Sequence, residues 1–137
     1  IGIADVFSKC KRKNKESSKD TDLIIIEYNN LIADIFKNDK SLKLIIFTSR
    51  FTENNFFKIL NDSNLHYELK TSEEIKTRYK NKNDITNEII NSVRERFILI
   101  NDLKLKIATI TLKISPIKGV SLYSTKKELF RYYLNLY

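Results

Sequence analysis

The sequence predicts an α+β domain with a mostly antiparallel sheet of four or five strands, helices packed on one face, a C-terminal meander and a terminal α-helix. Residues 103–114, LKLKIATITLKI, alternate apolar and polar side chains, as does a strand with one buried face. Runs with helical spacing of apolar residues lie on both sides of this strand. A chain of 137 residues with two glycines and one proline is long enough to bury the core of one domain.

The charged residues divide the chain into an arm and a domain. Residues 1–20 carry six basic and three acidic side chains, and residues 8–21 contain no aromatic residue. Such segments lack the apolar surface that a core needs, so residues 1–20 are predicted to be a flexible basic arm and residues 21–137 one α+β domain. The arm is a candidate for contacts with nucleic acid, and a solvated tail is the alternative. Its basic residues are Lys9, Lys11, Arg12, Lys13 and Lys15.

The first half of the domain alternates predicted helices and strands. Apolar spacing predicts a helix over residues 21–37, although three consecutive isoleucines leave a strand over Leu23–Tyr28 open. Residues 42–51 are rich in β-branched and aromatic side chains and predict a buried strand. Thr52 then begins a helix with Glu53 in its first turn, where the helix dipole favours an anion.

The second half is predicted to end in the meander and the terminal helix. A short strand over residues 65–70 precedes two helices, one over 73–80 and one that begins at Asp84 and has Val93 and Phe97 on its inner face. Strands over 97–100, 103–114 and 120–123 form the meander, and Thr125 caps the last helix. Because the alternation shifts by one residue at Ile107 and Ala108, we predict a β-bulge there.

That bulge would keep five polar side chains on one face of the long strand. These are Lys104, Lys106, Thr109, Thr111 and Lys113. Ammonium and hydroxyl groups contact phosphates, although most exposed lysines are only a solvated face. The terminal helix adds cations and rings that can stack on bases. Its candidates are Lys126, Lys127, Arg131, Tyr132 and Tyr137, whereas Tyr133 is predicted to lie in the core.

These surfaces favour a non-catalytic binding or assembly module of a larger complex. Residues 104–137 hold seven basic side chains and one acidic side chain, and such fields attract phosphate-bearing partners. A protein partner or a second copy of the chain ranks beside nucleic acid, with Leu136 and Tyr137 as candidate anchors, and acidic membrane lipid ranks third. The first residue is Ile1 and no methionine occurs, which predicts a fragment or a processed product.

One group of residues supports an enzyme as the alternative. Glu68, Leu69 and Lys70 form an E-x-K sequence on a predicted strand, with Asp62 six residues before Glu68. This pattern resembles metal-dependent nucleases of the PD-(D/E)xK kind, although the first acid is closer to the E-x-K than is usual there. The resemblance covers these residues alone. It implies that the carboxylates hold Mg²⁺ and that the lysine positions a water molecule.

Other cofactors, an internal disulfide and a membrane-spanning segment are not predicted, whereas a localisation signal in the basic arm is left open. With one histidine, His66, and one cysteine, Cys10, the chain alone cannot assemble a zinc site of the usual ligand types or an internal disulfide. No apolar run approaches the roughly 20 residues that span a bilayer. We therefore expect an intracellular protein with no bound cofactor.

Overall fold

The computed structural model describes residues 2–17, 19–71, 93–112 and 120–137, with only the backbone at residues 102, 120–126 and 128. Its strands are β1 (Phe7–Arg12), β2 (Leu23–Tyr28), β3 (Leu44–Phe47), β4 (Glu68–Thr71), β5 (Val93–Ile100) and β6 (Leu105–Leu112). Its α-helices are α1 (Leu31–Asn38), α2 (Arg50–Asp62) and α3 (Val120–Leu136), and short 3-10 helices lie at Asp20–Asp22 and Asn101–Leu103. None of the helices in this part of the chain is long and apolar enough to cross a membrane.

Four of the strands form the main sheet, in the order β3-β6-β5-β4. The β4–β5 and β5–β6 pairs are antiparallel, and the β3–β6 pair is parallel. Strands β1 and β2 form a second, antiparallel sheet of two strands. The predicted α+β class, the mostly antiparallel four-stranded sheet and the terminal α-helix are confirmed.

The main sheet carries helices on both faces, whereas the sequence pattern predicts helices on one face only. Ile98 and Ile107 are directly paired and belong to the core cluster that contains α1 and α2. Ile110 packs in a second cluster with Leu129 and Tyr133 of α3. Because successive residues of a strand point to opposite faces, Ile107 and Ile110 point in opposite directions. Helices α1 and α2 therefore cover one face, and α3 covers the other.

Strand β6 is buried on both sides, and the predicted β-bulge at Ile107 and Ala108 was wrong. Its register with β5 is continuous through both residues. The alternation in the sequence suggested a wet face, but β6 lies between β3 and β5 and beneath helices on both faces. Thr109 and Thr111 are consequently only 1% and 0% exposed.

Several predicted elements differ in type or extent. The helix expected over residues 21–37 is a 3-10 turn, strand β2 and the shorter α1, so the strand alternative for Leu23–Tyr28 was correct. Val93 and Phe97 lie on β5, not on a helix, and residues 120–123 begin α3, not a return strand. The helix predicted over 73–80, and the rest of the one predicted from Asp84, lie outside the described residues.

The segment predicted as a flexible arm contains a strand. β1 pairs with β2, with register shifts on both sides of Lys9. Val6 is buried, and the ring of Phe7 lies 5.8 Å from that of Phe51, so this end of the pair is anchored to the core. The apolar residues of β2 supply a partner that the composition of β1 did not reveal. The charged composition nevertheless indicated its exposure, because residues 8–12 are all exposed.

Thr111 offers a test of the two-sided burial of β6. Its Oγ1 is buried without a hydrogen-bond partner among the described residues, a situation that costs about 1–3 kcal/mol. Valine has the same branched shape and no polar atom. We expect Thr111→Val to raise the free energy of unfolding by about 1 kcal/mol in chemical denaturation. Thr109→Val is the matched control and should bring no gain, because Thr109 Oγ1 donates to Arg96 O at 3.2 Å. A Thr111→Val protein that is less stable than the parent would contradict the burial of Thr111 Oγ1 without a hydrogen-bond partner.

Candidate functional site

The predicted arm residues lie on the β1–β2 pair and its connection, residues 7–28, which we call the basic ribbon. Lys9 and Lys11 are exposed on β1, and Lys13 and Lys15 are exposed in the connection. Residues 8–15 contain five basic side chains and no acidic one. One edge of the ribbon therefore presents a continuous basic segment to solvent.

Arg12 and the acidic residues of the ribbon do not belong to this exposed row of lysines. Arg12 Nη1 donates to Ser17 O at 2.7 Å, so this guanidinium helps to close the connection between the strands. The acidic residues lie mainly on the β2 side: Asp20 and Asp22 precede β2, and Glu27 is the register partner of Lys9. Glu27 therefore faces Lys9 across the strand pair, and Glu16 follows Lys15 in the connection, so these acids offset part of the charge of the ribbon, whereas residues 8–15 themselves contain no acid.

The predicted lysine and threonine face of the long strand is not one surface. Lys104 has a left-handed backbone (φ 51°) in the turn before β6, and Lys106 Nζ lies 4.4 Å from the centroid of a phenylalanine ring on β5. Thr109 and Thr111 point away from Lys106, because the strand has no bulge, and both are buried. Lys113 lies outside the described residues. This part of the predicted site was wrong.

The cations of α3 remain available. Lys127 and Arg131 are exposed, and their spacing of four residues places them on one side of the helix. The side chain of Lys126 lies outside the described part. This short basic stripe is separate from the basic ribbon in sequence and carries fewer charges.

The tyrosines of α3 are engaged with the protein itself. Tyr133 is fully buried, which confirms its predicted place in the core. Tyr132 packs edge-on against it with ring centroids 5.1 Å apart. The hydroxyl of Tyr137 donates to Glu95 Oε1 at 2.9 Å. Tyr132 and Tyr137 are therefore poorly suited to the base stacking predicted for them.

The residues of the nuclease hypothesis do not converge. Glu68 and Lys70 are exposed on β4, with Lys70 Nζ 3.9 Å from Glu68 Oε2. Both point away from Leu69, which shares a cleft with Asp62 at the end of α2. A hard cation needs converging oxygen ligands, and the described residues contain no group of three or more His, Cys, Asp or Glu side chains that could hold a metal. The described residues therefore give no support to a metal site built on Asp62, Glu68 and Lys70, and the nuclease alternative stays a prediction.

A buried charge cluster, which is not among the predicted site residues, joins α2 to β5. Glu53, which is 0% exposed, has Oε2 3.1 Å from Arg94 Nη2, and its Oε1 accepts from Arg96 Nη2. The side chains of Arg94 and Arg96 are 32% and 16% exposed. Ser49 Oγ accepts from Thr52 N at 3.2 Å and fixes the start of α2, which places Glu53 in the first turn over β5.

Beside this cluster lies an open cleft of about 430 Å³, which we call the α2–β5 cleft. Its walls include Phe57, Lys58, Asp62, Tyr67, Arg94 and Arg96. The rings of Phe57 and Tyr67 stack with centroids 5.8 Å apart, and the Arg96 guanidinium lies 5.1 Å from the centroid of Phe57. The cleft thus combines two fixed guanidinium groups with an aromatic wall.

Tyr67 adds a hydroxyl group to this wall, and its one O–H is already engaged. Its hydroxyl donates to Asn61 Oδ1 at 2.8 Å. Partial burial raises the pKa of Tyr67, and the nearby charge of Arg96 opposes that effect. The phenol therefore stays protonated at neutral pH.

Comparison with known proteins provides no relative for this chain: no family model, curated protein or solved structure matches it. The basic ribbon and the α2–β5 cleft, through their geometry and charges, are the features of the described residues that bear on function.

Proposed function

We propose that the protein is a non-catalytic binding module that contacts the phosphate backbone of nucleic acid through its basic ribbon. The observation that carries this proposal is the exposed segment of residues 8–15, with five basic side chains and no acidic one. Lysine contacts with phosphates supply most non-specific affinity for nucleic acid and require no reading of base edges.

The way the ribbon is held supports a backbone contact. The β1–β2 pairing fixes Lys9 and Lys11 on an ordered strand, and Phe7 anchors that strand to the core. Ordering the cations in advance lowers the entropy lost on binding, compared with a disordered tail of the same composition. Residues 8–12 lack large apolar side chains, so charge dominates what this strand offers a partner.

The test replaces three ribbon lysines together, Lys9→Gln, Lys11→Gln and Lys13→Gln. We expect the affinity for a duplex DNA probe to fall about 100-fold, since three charge-assisted contacts of about 1 kcal/mol each are lost. Fluorescence anisotropy at fixed salt measures the change. A second triple variant, Lys104→Gln, Lys106→Gln and Lys127→Gln, removes the same charge from exposed positions elsewhere and should stay within about threefold of the parent. Equal losses in the two variants, or no binding by the parent protein, would rule out the proposal.

A protein partner is the second candidate, and exposed apolar side chains on the helices favour it. Leu31 and Ile35 of α1 are exposed one turn apart, and Leu134 and Leu136 are exposed near the end of α3. Sedimentation velocity separates the candidates: a stable dimer that binds neither DNA nor RNA would favour assembly. Acidic membrane lipid is the third candidate, and co-sedimentation with anionic but not neutral vesicles, without DNA binding, would favour it.

A further inference from the structure

We infer that the α2–β5 cleft binds an oxyanion of the phosphate class, such as a phosphate monoester. This site is separate from the basic ribbon and does not depend on the proposed function.

The charges of the cluster do not balance. Glu53 provides one carboxylate for two guanidinium groups, and within the described segments neither Arg94 nor Arg96 has another acid at ion-pair distance. At the rim, the charges of Lys58 and Asp62 offset each other. A partly buried excess positive charge is costly, and an anion in the cleft would compensate it.

The donors of the cluster are already oriented. Arg96 Nη2 donates to Glu53 Oε1, whereas Arg94 Nη2 is 3.1 Å from Glu53 Oε2 as an ion pair without a hydrogen bond. Each guanidinium carries five N–H donors in a rigid plane. Both Nε atoms are buried without a hydrogen-bond partner in the described part of the structure, so Glu53 leaves these side chains incompletely satisfied. Because Glu53 holds both guanidinium groups against β5, a ligand would find them fixed, with little side-chain entropy left to lose.

The spacing of the arginines favours phosphate over carboxylate. Arg94 and Arg96 are alternate residues of β5, so they share a face with backbones roughly 6.6 Å apart. A planar carboxylate matches a single guanidinium fork, whereas a tetrahedral phosphate presents oxygens to two forks at once. The stacked rings of Phe57 and Tyr67 form an apolar wall that suits the organic group of an ester.

The test titrates the full chain with inorganic phosphate, phenyl phosphate and acetate, and follows backbone amide and arginine Nε–H signals by NMR. We expect phosphate and phenyl phosphate to shift signals of the cleft residues, with acetate at least about tenfold weaker. Arg94→Gln should weaken phosphate binding at least about tenfold, as the loss of a charge-assisted fork predicts. The matched controls Lys70→Gln and Lys106→Gln remove exposed charges on the other side of the sheet and should leave it unchanged.

The possible results of this titration either support or overturn phosphate binding in the cleft. If Arg94→Gln does not fold, the exposed Lys58→Gln serves instead and should weaken phosphate binding a few-fold. Phenyl phosphate that binds more tightly than inorganic phosphate would identify an ester as the ligand. Phosphate shifts that appear only on the ribbon, acetate shifts as strong as those of phosphate, or no shifts in the cleft would overturn the inference. The triple variant of the ribbon lysines should bind phosphate like the parent, so failure of the ribbon proposal is distinguishable from failure of this one.

Discussion

Replacing Glu53 with alanine is expected to lower the free energy of unfolding by about 3–5 kcal/mol, a large part of the stability of a single domain. Glu53 is 0% exposed and is in contact with both Arg94 and Arg96. Without its carboxylate, two positive charges would remain close together beneath α2. The partial exposure of Arg94 lets solvent reduce the cost, so we expect the lower part of this range. Urea denaturation of the two proteins measures the difference.

A control for this prediction is Glu68→Ala on the outer strand β4. Glu68 also lies near a cation, with Lys70 Nζ 3.9 Å from its Oε2, but both side chains are more than half exposed. Exposed ion pairs contribute about 0–1 kcal/mol, so this variant should unfold almost like the parent. Equal destabilisation of the two variants would show that the buried cluster has no special structural role.

Replacing Tyr133 with alanine is expected to cost about 3–5 kcal/mol, because a fully buried ring leaves a large cavity. Tyr133 lies with Leu129 of α3 against Val93 and Ile110 on the second face of the main sheet. Its loss should therefore weaken the attachment of α3 to the sheet. Chemical denaturation, with the helical signal followed by circular dichroism, measures the effect.

The neighbouring Leu134 provides a matched control on the same helix. Its side chain is 43% exposed, so Leu134→Ala should lower the free energy of unfolding by less than about 1 kcal/mol. If Tyr133→Ala were as mild as Leu134→Ala, α3 would not pack on the sheet as the structure has it.

The sequence predicted the α+β class correctly but not that helices cover both faces of the main sheet, and β6 shows the reason. Its alternating lysines and threonines match a strand with one wet face, but periodicity does not report how many layers cover a sheet. Thr109 and Thr111 are small enough to be buried, and Thr109 satisfies its hydroxyl on a backbone carbonyl. The elements that complete the burial of β6 are distant from it in sequence: β3 pairs along one edge, and α1 and α2 cover the face that carries Thr109 and Thr111.

The α2–β5 cleft was missed because its partners are far apart in the chain. Glu53 was interpreted as a favourable charge in the first turn of α2, and Arg94 was not placed on a strand because β5 was predicted to begin at Phe97. The sequence did contain a usable signal: two arginines at alternate positions before an apolar run, which require an acid if that strand is buried. The acid itself is 43 residues from Arg96, beyond the reach of local patterns.

In contrast to the cleft residues, the lysines of the basic ribbon were predicted from the sequence. Composition identified its lysines and their exposure but not the strand that holds them, because the partner residues of β2 were assigned to a helix. A two-stranded sheet is weak by itself, so its contacts with α2 matter for its order: the ring of Phe7 packs on that of Phe51, and the hydroxyl of Tyr28 donates to Asn55 Oδ1. The proposed function thus rests on lysines that the sequence identified as candidates. It also rests on the β1–β2 pairing, which the sequence did not predict.

The most direct test of the ribbon proposal is the salt dependence of DNA binding, measured for the parent and for the triple glutamine variant of Lys9, Lys11 and Lys13. The logarithm of the binding constant falls with the logarithm of salt concentration by about 0.9 for each phosphate contact. We therefore expect the slope of the variant to be smaller in magnitude by about 2.7, with the slope of the Lys104, Lys106 and Lys127 variant close to that of the parent. An unchanged slope in the ribbon variant, at whatever affinity, would contradict the proposal.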